Sequence, residues 1–152
     1  MGPEGHGRFS PPPMLKIESP AKLNLVLEVL GKRPDGFHEI RSVMQTIDLC
    51  DEIIIEEHPA SNHIELHTDK MACPVDEKNL VWFAVQLLRE KTSFDKGLQI
   101  TINKHIPIGG GLGGGSSNSG TVILALVHNY ALKISDADLW RIAGRIGSDV
   151  AF

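Results

Sequence analysis

Apolar and polar residues alternate along the first third of the chain. Leu15 and Ile17, then Leu23, Leu25, Leu27 and Val29, fall two apart with polar or small residues around them. That is the period of a strand, with Pro20 interrupting the run. Gly31 to Gly36 (GKRPDG) predicts a turn, signed by Pro34-Asp35-Gly36. Val43 to Asp48 and Ile53 to Glu57 read as two further strands. His63 to His67 (HIELH) alternates strictly, which predicts Ile64 and Leu66 toward a core and His63, Glu65 and His67 on a wet face. The period then changes. Asp76 to Asn79 predicts a helix start, and Leu80, Phe83, Ala84, Leu87 and Leu88 follow a helical stripe. Gly97 to His105 (GLQITINKH) returns to a strand by alternation and β-branched content. Ile106-Pro107-Ile108 leads into a run of glycines, and Ser116 to Leu132 reads as a helix, small at its start and apolar later. Ser135-Asp136-Ala137-Asp138 fits a capping box opening a last helix that ends near Gly147. No repeat period is visible. A β-rich start followed by strand, glycine loop and helices predicts an α+β fold.

Composition narrows the partners. The 152 residues are 41% hydrophobic and 22% charged, enough apolar mass for one core. A net charge of -4 argues against nucleic acid, and 5% aromatic content against a base-stacking platform. No apolar run approaches the ~20 residues of a membrane span, so no membrane partner is expected. Cys50 and Cys73 lack a C-x-x-C spacing, which disfavours a disulfide scaffold or a cysteine zinc site and points to the cytoplasm. Residues 1–13 (MGPEGHGRFSPPP) hold four prolines and three glycines, the composition of a disordered extension. They have no apolar stretch of a secretory signal. Met14 is a plausible start, and one domain is expected over 14–152.

The glycines carry the chemistry. Of 15 in the chain, six sit within Gly109 to Gly115. The run reads Pro107-Ile108-Gly109-Gly110-Gly111-Leu112-Gly113-Gly114-Gly115-Ser116-Ser117. Glycine permits φ > 0 and lets a ligand approach without a Cβ in the way. Between a strand and a helix, such a loop aims free N–H groups and the positive helix end at one point, as a phosphate site requires. Ser116 and Ser117 add hydroxyls for a phosphate or a phosphate-bound magnesium. A flexible linker is disfavoured because an apolar strand and an apolar helix flank the run. A Walker A loop fails for want of Gly-Lys-[Ser/Thr]. Gly109-x-Gly111-x-x-Gly114 matches the dinucleotide fingerprint only formally, since Tyr130 to Asp136 offers no second strand with its acidic residue. His63 and His67 have metal-like spacing but no third ligand, so no protein-built metal site is expected.

The glycine run with Asn118 resembles the ATP loop of the GHMP kinases. Three more segments resemble the same family in the same order: Ser19-Pro20-Ala21-Lys22-Leu23-Asn24-Leu25, Arg33-Pro34-Asp35-Gly36-Phe37-His38-Glu39-Ile40, and Ile146-Gly147-Ser148-Asp149-Val150. More narrowly, they are similar to the members that phosphorylate the 2-hydroxyl of a cytidine diphosphate-linked methylerythritol, in the non-mevalonate (MEP) route to isoprenoids. The resemblance implies a GHMP-kinase N-terminal domain (ribosomal protein S5 domain 2-like), with ATP and Mg2+ as cofactors. It places a catalytic Lys at Lys22, a catalytic Asp at Asp149 and ATP contacts along Pro107 to Ser117. It places substrate contacts at Asn24, Phe37, His38 and Met44, where Phe37 can stack on the cytosine but lacks the hydroxyl of the Tyr more usual there. The family's second, C-terminal lobe has no counterpart here, which implies an N-terminal part inactive alone. Two other readings stay open: a nucleotide- or phosphate-binding fragment without catalysis, and a dinucleotide-binding oxidoreductase module.

Overall fold

The computed structural model describes residues 14–34, 36, 38–58 and 62–152. The expected extension at 1–13 and the candidate Phe37 lie outside the described residues. In order, the elements are β1 (Met14–Lys32), β2 (His38–His58), β3 (Ile64–Thr68), α1 (Leu80–Lys91), β4 (Gly97–Asn103), α2 (Gly114–Asn129) and α3 (Asp136–Ile146). The strands form one sheet in the order β1-β2-β4-β3. β1 and β4 run antiparallel to β2, and β3 runs parallel to β4.

Register decides which residues meet. Ile53 pairs with Ile102 and Ile55 with Ile100, while Leu66 lies beside Ile100 on the other flank. Because side chains alternate across a sheet, these isoleucines and leucines share one face. α1 covers it with Val81, Ala84, Val85, Leu87 and Leu88, α2 with Val122 and Leu126, and α3 with Ile142. Each fully buried Ile or Leu contributes about 1.5–3 kcal/mol. The caps are those the sequence predicts. Asn79 Oδ1 accepts the Val81 N–H at 2.9 Å, and Ser135 Oγ accepts the Asp138 N–H at 3.1 Å. Asp136 and Asp138 occupy the first turn of α3 and Arg145 its last, each sign suited to its end of the helix dipole.

Three expectations need correction. The strands expected at 43–48 and 53–57 are one continuous β2. Pro20 does not end β1; the pairing shifts between Pro20 and Lys22, and an irregularity of this kind tolerates the missing N–H. The helix expected from Ser116 to Leu132 starts at Gly114 and stops at Asn129, where Ala131 turns the chain with φ 48°. A further finding concerns the alternating residues of β1. Within β2, β4 pairs with Glu52–His58, so among the described residues the outer halves of β1 and β2 pair only with each other. Leu25, Leu27, Val29, Ile40 and Val43 lie exposed along this two-stranded arm. Among the described residues no helix is long and apolar enough to cross a membrane.

Candidate active site

The glycine loop begins where β4 ends. Gly109, Gly111 and Gly113 take φ of 75°, 71° and 70°, the left-handed region that other residues enter at a cost. Gly113 is the N-cap of α2; it brings no side-chain cap, and the first turn carries no acidic residue. The first N–H groups of α2 therefore keep their donors for a ligand, at the positive end of the helix. α2 is followed by a turn and α3, and no strand follows it among the described residues. The second strand that a dinucleotide fold requires is missing, so the formal match at Gly109, Gly111 and Gly114 leads nowhere.

Lys22 is buried against this loop. Although it lies in an alternating strand, only 8% of it is exposed. The backbone N–H of Lys22 donates to Leu112 O at 2.9 Å, which stitches β1 to the loop. A Cβ at Gly113 would stand 2.9 Å from both Cγ and Cε of Lys22, so glycine is what lets the lysine pass. Lys22 Nζ lies 3.1 Å from Asp149 Oδ2 and donates to Asn24 Oδ1 at 2.6 Å. Asn24 Nδ2 in turn donates to Ser42 Oγ at 2.7 Å. Asp149 does not cap α3, which ends at Ile146 with Gly147 as its C-cap. Lys22, with Asn24 two residues on, thus meets Asp149 from the far end of the chain. Lys22 and Asp149 border a cavity of about 180 Å3 with Thr46, Gly113, Ser117 and Thr121.

A second cleft, of about 320 Å3, lies along the rest of the loop, and Gly113 lines both. Its walls are Pro107 to Ser116 with Lys104, Asn118, Asn79 and Cys73. The two serines divide their work. Ser116 lines the cleft, whereas the Ser117 and Ser19 hydroxyls share a hydrogen bond of 2.8 Å that ties α2 to β1. Asn118 is 2% exposed and its Oδ1 is buried without a partner among the described residues. An orphaned acceptor of this kind costs about 1–3 kcal/mol until a donor meets it.

Of the other sequence candidates, Met44 is half-buried and sits opposite Asn24 in the hairpin. His38 is exposed and pairs with Lys32 at the far end of the arm. The structure does not bring it to the Lys22–Asp149 pair.

Sequence reasoning missed Asp51 and Lys104, and gave Asn118 no role of its own. Asp51 is fully buried and takes the ammonium of Lys104, itself 6% exposed. A Cβ at Gly114 would stand 3.1 Å from Lys104 Nζ, so this second lysine lies against the start of α2. The one signal in the sequence is a lysine following an apolar strand just before Pro107. Nearby, Asp69 accepts the Lys104 backbone N–H at 2.8 Å; that bond first, and Lys70 second, hold its carboxyl below the usual range.

The chain is similar to several known proteins. The model of the GHMP kinases N terminal domain matches residues 79–152. A 4-diphosphocytidyl-2-C-methyl-D-erythritol kinase of Geobacillus thermodenitrificans is 44% identical over 138 residues, which are 91% of this chain and 48% of that protein. Its counterpart in Clostridioides difficile is 40% identical over 138 residues, 91% of this chain and 46% of that one. A crystal structure of 4-(cytidine 5'-diphospho)-2C-methyl-D-erythritol kinase matches with a TM-score of 0.73 at 34% identity, covering 90% of this chain and 47% of the other. A mevalonate kinase at 20% identity shares the fold, with a TM-score of 0.61 over 90% of this chain and 47% of its own. The chain spans about half the length of the curated relatives it matches. In fold and in matched segment alike, this chain carries the N-terminal domain of the GHMP kinase family.

Proposed function

We propose that the chain is the ATP-binding part of a cytoplasmic kinase that transfers the γ-phosphoryl group of ATP to the 2-hydroxyl of 4-diphosphocytidyl-2-C-methyl-D-erythritol. The observation that carries this reading is the 3.1 Å approach of Lys22 and Asp149 beside Gly113, where the loop cleft meets the smaller cavity. The residues present fit a nucleotide. Two buried lysines flank the positive end of α2, against Gly113 and Gly114, and cations there favour the arrival of a polyanion. Asn118 lines the same cleft, and its buried Oδ1 has no partner among the described residues. Among the described residues no group of three His, Cys, Asp or Glu converges. Magnesium enters with the nucleotide, as MgATP.

Phosphoryl transfer rests on positioning and charge neutralisation. The acceptor hydroxyl sits in the smaller cavity beside Lys22, whose ammonium Asn24 helps to hold. As its oxygen bonds to the γ-phosphorus, its proton passes to the Asp149 carboxylate. The bond from phosphorus to the bridging oxygen breaks, and ADP leaves with that electron pair. Lys22 lies against the developing charge. Met44, His38 and Phe37 serve the cytidine diphosphate end of the acceptor. Turnover requires the additional length that the relatives carry, and the 152-residue chain alone binds nucleotide without consuming it.

The test is Asp149→Asn in the full-length protein, with ATP consumption followed in the presence of the acceptor. A positioned base contributes about 10²–10⁴-fold. The expected result is a loss of turnover of that order with MgATP binding largely unchanged. Equal loss of binding and turnover would contradict the role of Asp149 as base, and rapid acceptor-dependent turnover by the 152-residue chain would contradict the need for the remainder.

A further inference from the structure

Asp51 lies one residue before the last rung of the β2–β4 ladder, which ends with Glu52 opposite Asn103. Beyond that rung β4 leaves the sheet, and side-chain carboxylates replace the missing strand partners. Asp51 Oδ1 accepts the N–H groups of His105 and Ile106, each at 2.8 Å. Its other oxygen takes Lys104 Nζ. The backbone N–H of Lys104 goes to Asp69. Three consecutive residues, 104 to 106, are thereby clamped immediately before Pro107 opens the glycine loop. The clamp also reaches the loop's other end, because the Lys104 ammonium lies against Gly114, the first residue of α2.

A buried ion pair is poor evidence of stability, since desolvation offsets most of its attraction. Holding a cation at the positive end of a helix adds to that cost. The arrangement makes sense where an anion completes it. We infer that Asp51 is the positioning residue of the polyphosphate site: acting through Lys104 and the 104–106 corner, it sets the glycine loop so that its free N–H groups and one ammonium converge on the phosphates. The inference rests on the nucleotide reading given above. It assigns Asp51 no contact with the nucleotide.

The test compares MgATP with adenosine, which lacks the phosphates, on the 152-residue chain by NMR chemical-shift titration. Asp51→Asn keeps the shape and an acceptor for the two N–H groups but removes the charge that holds Lys104. The expected result is a loss of MgATP affinity of about tenfold or more, with adenosine affinity changed less than about twofold. The double variant Asp51→Asn/Lys104→Met removes both buried charges together and so guards against failure of the single variant to fold. It is expected to lose the same preference for MgATP, and no more than Asp51→Asn does, because the two residues act as one unit. A ratio of MgATP to adenosine affinity unchanged in either folded variant overturns the inference while leaving the nucleotide site standing. Absence of MgATP binding to the unsubstituted chain overturns both.

Discussion

Replacing Gly113 with alanine places two separate costs on one atom. The backbone there has φ 70°, and a residue with a Cβ pays about 1–2 kcal/mol for the left-handed region. The new methyl would also stand 2.9 Å from Cγ and Cε of Lys22. Lys22 is 8% exposed and held at its ammonium by Asp149 and Asn24, so it cannot swing away without breaking those contacts. Overpacking of this kind costs about 1–3 kcal/mol. Gly109 and Gly111 supply the controls. Their φ values are 75° and 71°, but nothing lies within 4 Å of a Cβ built on either, so alanine there meets the backbone cost alone. Thermal unfolding of the 152-residue chain, followed by far-UV circular dichroism, separates the two. At about 2–4 °C per kcal/mol for a domain of this size, Gly113→Ala should melt at least about 2 °C below Gly111→Ala. It should also weaken MgATP binding, because the displaced lysine borders the cavity the loop serves. Equal melting temperatures for the two variants would refute the claim that Gly113 exists to let Lys22 pass.

Two other expectations follow from groups away from the loop. Tyr130 is pushed up to about 12, first by burial and then by the Glu57 carboxylate that its hydroxyl meets at 3.3 Å. It is the only tyrosine, so tyrosinate absorbance reports on it alone. The folded state holds that proton more tightly than the unfolded chain, whose tyrosine titrates near 10. The contribution to stability is therefore complete below pH ~10 and lost as pH rises toward about 12, and a native midpoint near 10 would sink the assignment. The two side-chain helix caps should differ in urea unfolding. Asn79→Ala should cost about 1–2 kcal/mol and Ser135→Ala about half that. Asn79 is 8% exposed and also donates to Pro74 O at 2.6 Å, whereas Ser135 is exposed; the opposite order would count against this account.

The helices and β4 were legible because their signals are local. Asn79 and Ser135 announce α1 and α3, and the alternation through Leu98, Ile100 and Ile102 announces β4. The glycine loop was legible for the same reason, since no other structure explains so many glycines between a strand and a helix. What lay hidden depends on partners far away in the chain. Lys22 sits among alternating residues that look solvated, and only the loop near Leu112 and Gly113 buries it. Asp51 opens the apolar Ile53–Ile55 run and reads as an ordinary strand-end charge until the corner at 104–106 folds onto it. The exposed arm failed differently. Periodicity tells which residues share a face, but not whether anything covers that face, and Leu25 and Val29 show the difference. The resemblance supplied the pairing of Lys22 with Asp149, and the coordinates supplied its distance.

That pairing has a kinetic side. Lys22 belongs to β1, Leu112 and Gly113 to the loop that receives it, and Asp149 to the turn after α3. Contacts so remote along the chain close late, because the entropy of ring closure must be met before they return anything. A molecule caught partway through maturation can present an anion-attracting bend yet lack the matched acid and amine. It would hold a polyanion without spending it, so reactivity itself reports that assembly is complete.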